Sequence, residues 1–205
     1  MAGVPGLVGS AIEAARADGF ALTRAEAGPD HPSASLPDVG RFLAVLAAGC
    51  PGGRIAECGT GTGIGAAWIA SAMPPGCSLI TAEIDPDRAA AAADVLRPDQ
   101  RVQVRTGDWR VVLPELAPYD LIFADAGVRD QQDFRDLVSM LTPGGSIVMD
   151  DVTPVAALAP DSPLRDHDPK RALFAAEPRL RWTEVVLPDL RDSLLVGART
   201  GYPGD

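Results

Sequence analysis

The sequence predicts an α/β fold: a doubly wound, mostly parallel seven-stranded sheet with an antiparallel last strand and helices on both faces. Three observations carry this. Short apolar, β-rich runs alternate with alanine-rich helical stretches over residues 54–150, the order that strand, crossover helix and strand give in a parallel sheet with right-handed connections. The first strand-like run opens directly onto "GTGTGIG", bare backbone where a strand turns into a helix. The last two runs, 180–188 and 193–200, are joined only by the link "DLRD", which predicts an antiparallel pair finishing the sheet.

Each element follows in order. "AIEAARADGF" and "DVGRFLAVLAAG" read as helices, the second opening after Pro37 and closing at Gly49. Then come "RIAEC" as strand, "GIGAAWIASAM" as helix, "CSLITAE" as strand and "PDRAAAAADVL" as helix. "RVQVRT" and "YDLIFAD" are strands, "DQQDFRDLVSML" a helix, "TPGG" a turn and "SIVMD" a strand. Residues 152–179 are rich in Pro and Asp and predict a loop with a helix near "PKRALFAA". The expected organisation is one domain over 1–205: N-terminal helices to 50, a core over 51–151 and a substrate loop with the strand pair from 152.

A chain of 205 residues with 46% hydrophobic content is long enough to bury a full core. Cys50, Cys58 and Cys77 are odd in number and lack C-x-x-C spacing, so they predict buried thiols rather than disulfides or a zinc site. A formal net charge of -10 argues against a partner bound by neutralising phosphates, nucleic acid included. The sequence has no basic start followed by an apolar core and no apolar run of transmembrane length, so a soluble, cytoplasmic chain is expected. Lys170 is the single lysine.

In an open parallel sheet, ligands bind beyond the carboxyl ends of the strands, and the acids of this chain fall there. Glu57 ends the first strand, Glu83 the second, Asp108 follows the third, Asp125 ends the fourth, and Asp150 with Asp151 ends the fifth. Gly59, Gly61 and Gly63 let main chain lie against a nucleoside's sugar and tail. The spacing to Glu83 also suits a dinucleotide fold. Ile64 at the third position of G-x-G-x-x-G, and Glu57 beside the would-be pyrophosphate, weigh against NAD. S-adenosylmethionine (SAM), with a sulfonium, an ammonium and no phosphate, suits an acidic rim.

"AECGTGTGIGAAW", "AEIDPDRAAAA", "GDW", "YDLIFADA" and "GGSIVMDDV" resemble the successive motifs of class I SAM-dependent methyltransferases, most closely the catechol and caffeoyl-CoA type O-methyltransferases. The resemblance implies a Rossmann-like methyltransferase fold with SAM bound by Glu57, Gly59, Thr60, Gly61, Gly63, Glu83, Ile84, Gly107, Asp108, Trp109 and Asp125. Glu83 would take the ribose hydroxyls, and Asp108 the adenine amino group with Trp109 beside the ring. Asp108 as a helix cap is the structural alternative.

Asp125, Asp150 and Asp151 lie on neighbouring strand ends and are expected to converge on a hard divalent cation such as Mg2+. This resembles the family's Asp, Asp, Asn metal site, with Asp151 where the Asn stands. Val128 occupies the place of the family's lysine base, with Arg129 one residue on. Arg129 is expected to steady an oxyanion, and Lys170 to reach the site from the loop after the fifth strand. Asp125 completes the catalytic set. His31 and His167 are expected on the surface. The acceptor predicted is a small molecule with a vicinal diol-like or hydroxy-carbonyl group, and the N-terminal helices could form a homodimer. A tRNA hydroxyuridine methyltransferase and a degenerate SAM- or NAD-binding module are the alternatives.

Overall fold

A computed structural model describes residues 5–23, 26, 34–188 and 191–201. Helices α1 (Gly6–Ala17) and α2 (Pro37–Ala48) precede β1 (Arg54–Cys58), α3 (Ile64–Ala72), β2 (Ser78–Glu83), α4 (Pro86–Leu96) and β3 (Val102–Thr106). Then follow α5 (Trp109–Val112), β4 (Tyr119–Ala124), α6 (Gln131–Ser139), β5 (Leu141–Val152), α7 (Pro169–Ala175), β6 (Leu180–Val186) and β7 (Ser193–Arg199). The strands form one sheet in the order β3-β2-β1-β4-β5-β7-β6. β1 to β5 pair in parallel, and β7 runs antiparallel to both its neighbours, as the alternation predicts. The order reverses between β1 and β4, which opens a crevice at their carboxyl ends.

Both faces of the sheet are covered, so successive strand residues feed opposite layers. Ile55, Leu79, Leu121, Phe123 and Val148 pack with α1, α2 and α3, while Ala56, Ile80, Ile122, Ile147 and Met149 pack with α6 and α7. Cys58 and Cys77 are buried free thiols. His167 is exposed. Residues 30–33, His31 among them, and residues 189 and 190 of the "DLRD" link lie outside the described residues. No helix among the described residues is long and apolar enough to cross a membrane.

Four local features differ from expectation. α1 begins at Gly6 because Val8, Ala11 and Ala15 make one buried stripe, which the "AIEAARADGF" window cut short. α5 stands outside the ordered run of elements and bears out the structural alternative for Asp108, which caps it through Arg110 N. The "TPGG" turn sits inside β5 rather than before it. Leu141 pairs with Tyr119 and Ser146 with Leu121, so Thr142, Pro143, Gly144 and Gly145 bulge opposite Asp120. Finally, β5 runs on to Val152 through a second bulge, described below.

The segment after β5 is anchored by a buried arginine. Arg171 reaches Glu184 with Nε at 2.9 Å and an Nη at 2.7 Å, donates to Thr153 O and pairs with Asp168, its helix cap, at 3.1 Å. Its side chain is only 15% exposed. Removing one member leaves buried charge without a partner. Arg171→Ala is therefore expected to lower unfolding stability by about 3 kcal/mol, read as a drop in the urea midpoint; an unchanged midpoint contradicts this account of the anchor.

Candidate active site

The bare backbone after β1 permits two close approaches. Gly59 has a φ of +88°, and a Cβ there would stand 2.5 Å from the Cβ of Ala126, so any other residue would push β1 and β4 apart. Gly65, in the first turn of α3, lies against the Glu57 carboxylate, and its Cβ would collide with Oε1. The result is a buried acid: Glu57 is 1% exposed. Its Oε2 accepts from Thr81 Oγ1 at 2.6 Å, and the Thr81 and Thr60 hydroxyls are 2.5 Å apart. Burial pushes its pKa up to about 8; the Thr81 bond opposes this, and the charges of Glu83 and Asp150 add to it.

Beyond the strand ends lies a cavity of about 340 Å³. Gly59, Gly61, Glu83 and Ile84 form one side, and Gly107, Asp108, Trp109 and Asp125 also line it. Most of the expected cofactor residues therefore share one space. Glu83 is 7% exposed and aimed by main chain: Oε2 accepts from Gly61 N at 2.8 Å and Oε1 from Asp85 N at 3.0 Å. Ile84 is 69% exposed at the edge. Asp108 both lines the cavity and serves the structural role, accepting from Arg110 N at 2.9 Å and pairing with the Arg110 guanidinium at 3.0 Å. Arg110 also bonds Asp133 and Gly127 O and lies 4.6 Å over the Trp109 ring. Trp109 Nε1 is buried without a partner.

Three expected cofactor residues stand elsewhere. Thr60 lines a narrow annex of about 20 Å³ with Ser35, Thr62 and Gly65. Glu57 lies against Gly65, which borders that annex, and Gly63, with a φ of +93°, caps α3 and packs on Leu96.

Two of the three expected metal acids meet. The Asp125 and Asp150 carboxyls are neighbours, and both pKa values are raised, first by burial and then by the charge of Glu57 on Asp125 and of Asp125 on Asp150. Asp150 Oδ1 is buried with no partner. The third acid is turned away by the second bulge of β5. Met149 pairs with Leu195 and Val152 with Ser193, so Asp150 and Asp151 together oppose Leu194. Asp151 takes a φ of 55°, and is exposed on the cavity wall. Among the described residues no three His, Cys, Asp or Glu side chains group so as to hold a metal ion.

Lys170, from the first turn of α7, does reach this place. Its Nζ donates to Asp150 O at 2.7 Å and is 3.4 Å from Asp151 O, main-chain oxygens that the bulge releases from the ladder. Arg129 does not. Its Nε is 3.4 Å from Asp133 Oδ2, its N–H donates to the same carboxylate at 2.9 Å, and its side chain is 71% exposed; the acid four residues on in α6 holds it outside the cavity.

A family described as a methyltransferase domain matches residues 56–152, from β1 to the end of β5. A catechol O-methyltransferase of Niastella koreensis is 39% identical over 137 residues, 62% of this chain and 62% of its own. A protein named as an O-methyltransferase in Mycolicibacterium smegmatis is 32% identical over 191 residues, covering 87% of this chain and 89% of its own. The O-methyltransferase TomG from Streptomyces achromogenes, involved in tomaymycin synthesis and solved with SAM, superposes with a TM-score of 0.73 at 26% identity over 97% of this chain and 92% of its own. The chain belongs to the class I SAM-dependent O-methyltransferases.

In this O-methyltransferase several cavity residues have no sequence signal. Phe20, Arg88, Arg110 and Gly127 all border the space. Only Arg110 was findable in principle, as the base two residues after Asp108; Phe20 arrives from beyond α1, far along the chain.

The raised pKa of Glu57 makes the stability of the cofactor-free enzyme pH-dependent. The folded carboxyl holds its proton more tightly than the unfolded one, so between pH 4.5 and about 8 the native state binds more protons and stability falls as pH rises. Asp125 and Asp150, also raised, act in the same direction. Glu57→Gln is expected to remove its share, at most about 5 kcal/mol, and so flatten the decline measured by chemical denaturation across that window. A variant as pH-sensitive as the parent would refute the assignment.

Proposed function

We propose that this O-methyltransferase transfers the methyl group of SAM to one hydroxyl of a small catechol-like or hydroxy-carbonyl acceptor, assisted by a hard divalent cation such as Mg2+. The observation that carries the proposal is the Asp125–Asp150 pair beside the cavity, with Asp150 Oδ1 unsatisfied. Two buried carboxylates in contact repel when ionised, and an oxygen-only donor set suits a hard cation. Asp125 and Asp150 would hold it, with Asp151 on the cavity wall contributing charge. When bound, the ion would lower the acceptor hydroxyl's pKa and favour an acceptor with a second oxygen next to the first. The catechol O-methyltransferase relative supports the same acceptor class.

The chain's own residues do the rest by positioning. Glu83, already oriented by Gly61 N and Asp85 N, would accept the two ribose hydroxyls. Asp108 and Trp109 would flank the adenine, whose nitrogens offer acceptors to the idle Trp109 Nε1, and Ile84 would cover the ring. The Thr60, Thr81 and Glu57 chain would face the cofactor's ammonium end, with Gly59 and Gly63 shaping the turn. Lys170 secures the Asp150 and Asp151 carbonyls, keeping the bulge in place and its positive charge near the acids. In the transfer the acceptor oxygen gains the methyl carbon as the S–C bond breaks, the hydroxyl proton passes to solvent, and S-adenosylhomocysteine leaves.

The test separates binding from metal-assisted turnover. Asp150→Asn should bind S-adenosylhomocysteine in calorimetry much as the parent does, while its Mg2+-stimulated turnover on a panel of vicinal diols falls by about 10- to 100-fold. A parent enzyme whose turnover ignores both Mg2+ and chelator would rule out the cation. A parent inactive on every diol and hydroxy-carbonyl, yet active on another hydroxyl, would rule out the acceptor class.

A further inference from the structure

We propose that Phe20 is the gate through which the cofactor's amino-acid end enters its site, held shut by a latch of Arg88 and Asp18. The inference rests on the assignment of that end to the annex beside Glu57.

The space around the glycine turn has two chambers, the cavity of about 340 Å³ and the annex of about 20 Å³. The annex is lined by hydroxyls, those of Ser35, Thr60 and Thr62, next to buried Glu57, a chemistry that suits an ammonium and a carboxylate. Its volume holds a water molecule and not an amino acid. Binding therefore needs the annex to widen. Three residues border both chambers: Phe20, Gly61 and Asp125. Gly61 has no side chain to move. Asp125 is committed to the acid pair with Asp150. The Phe20 ring, resting on Gly61 so that a Cβ there would lie 3.5 Å from Cζ and only partly buried against the core, is the side chain at the seam whose turning would join the two chambers.

The ring is held from outside. The Arg88 guanidinium lies 5.0 Å over the Phe20 centroid, and Arg88 Nε donates to Asp18 Oδ2 at 3.1 Å. Arg88 comes from the first turn of α4 and Asp18 from the end of α1, so the contact fastens the segment carrying Phe20 to the helix that follows the ribose-binding acid. Both latch side chains are partly exposed, 39% and 42%. A cation–π contact and a surface ion pair of this kind are individually weak, which suits a latch that must open at each turnover to exchange SAM for S-adenosylhomocysteine.

A gate predicts a kinetic signature that a static wall does not. A wall lost from a pocket speeds dissociation alone, whereas a gate loosened speeds entry and exit together. Stopped-flow binding of S-adenosylhomocysteine, followed by tryptophan fluorescence from Trp109 in the cavity, should show Asp18→Ala, which breaks the latch from outside the cavity, raising the association and dissociation rates alike by about fivefold, with Kd little changed. Phe20→Ala should raise both further. Unchanged association rates, or faster dissociation alone, would overturn the gate. If Phe20→Ala does not fold, Asp18→Ala, at an exposed residue, decides alone by the same two rates. Parent protein that binds neither SAM nor S-adenosylhomocysteine would overturn the cofactor assignment and the gate with it; parent-like rates in variants that bind normally would overturn the gate only.

Discussion

The site depends on one close approach, that of the first turn of α3 to the end of β1. A side chain at Gly65 would displace Glu57, and one at Gly59 would strike Ala126 on the neighbouring connection. With both absent, a carboxyl group is buried between a strand and a helix N-terminus, tied to the hydroxyls of Thr81 and Thr60. If Glu57 is ionised, the single Thr81 proton goes to it and Thr60 donates to Thr81, so the state of the acid orients a polar chain leading to the annex. Gly61 then places its N–H on Glu83, and the ends of β1 and β2 become one continuous polar surface.

The second device is the bulge at the end of β5. An uninterrupted strand would send Asp150 and Asp151 to opposite faces of the sheet. Two residues facing Leu194 alone, with Asp151 in the left-handed region, re-aim them: Asp150 turns inward against Asp125, and Asp151 outward to the cavity wall. The same bulge frees two carbonyls, and Lys170 takes both. Asparagine and aspartate are the residues that tolerate this backbone best after glycine, which gives a conformational reason for a short polar residue at position 151, independent of any metal.

Much of the fold was legible because both faces of the sheet are buried. Strand runs such as "LIFA" and "SLIT" are apolar almost throughout, and alanine-rich helices separate them. The acids at strand ends were legible for the same reason, as polar residues where an apolar run stops. What escaped the sequence is what needs three dimensions. "TPGG" looks like a turn and is a bulge, because its neighbours still pair with Tyr119 and Leu121. Asp151 looks equivalent to Asp150 until the bulge separates them. Arg129 looks placed for the site until Asp133, one helical turn on, binds it. Phe20 comes from outside the sheet, at a distance along the chain that no local pattern encodes, and Lys170, also outside it, was legible only as the single lysine.

The acids of this chain fall into two groups, and the division locates the chemistry. Asp99, Asp133, Glu177 and Glu184 are each paired with an arginine, and each has its pKa lowered by that hydrogen-bonded partner. Glu57, Asp125 and Asp150 form no ion pair among the described residues, and all three are raised by burial and by one another. With 28 acidic and 18 basic side chains, basic groups are scarce, yet arginines are spent on these structural acids, while Asp125 and Asp150 are eased by Lys170 and Glu57 by no cation. Glu83 is satisfied by main-chain N–H groups, and the group of Glu57, Asp125 and Asp150 is left to be neutralised by protons when empty. A cationic ligand competes with those protons for the same oxygens, so its arrival and their release are one event. The sulfonium and ammonium of SAM are charges of that kind.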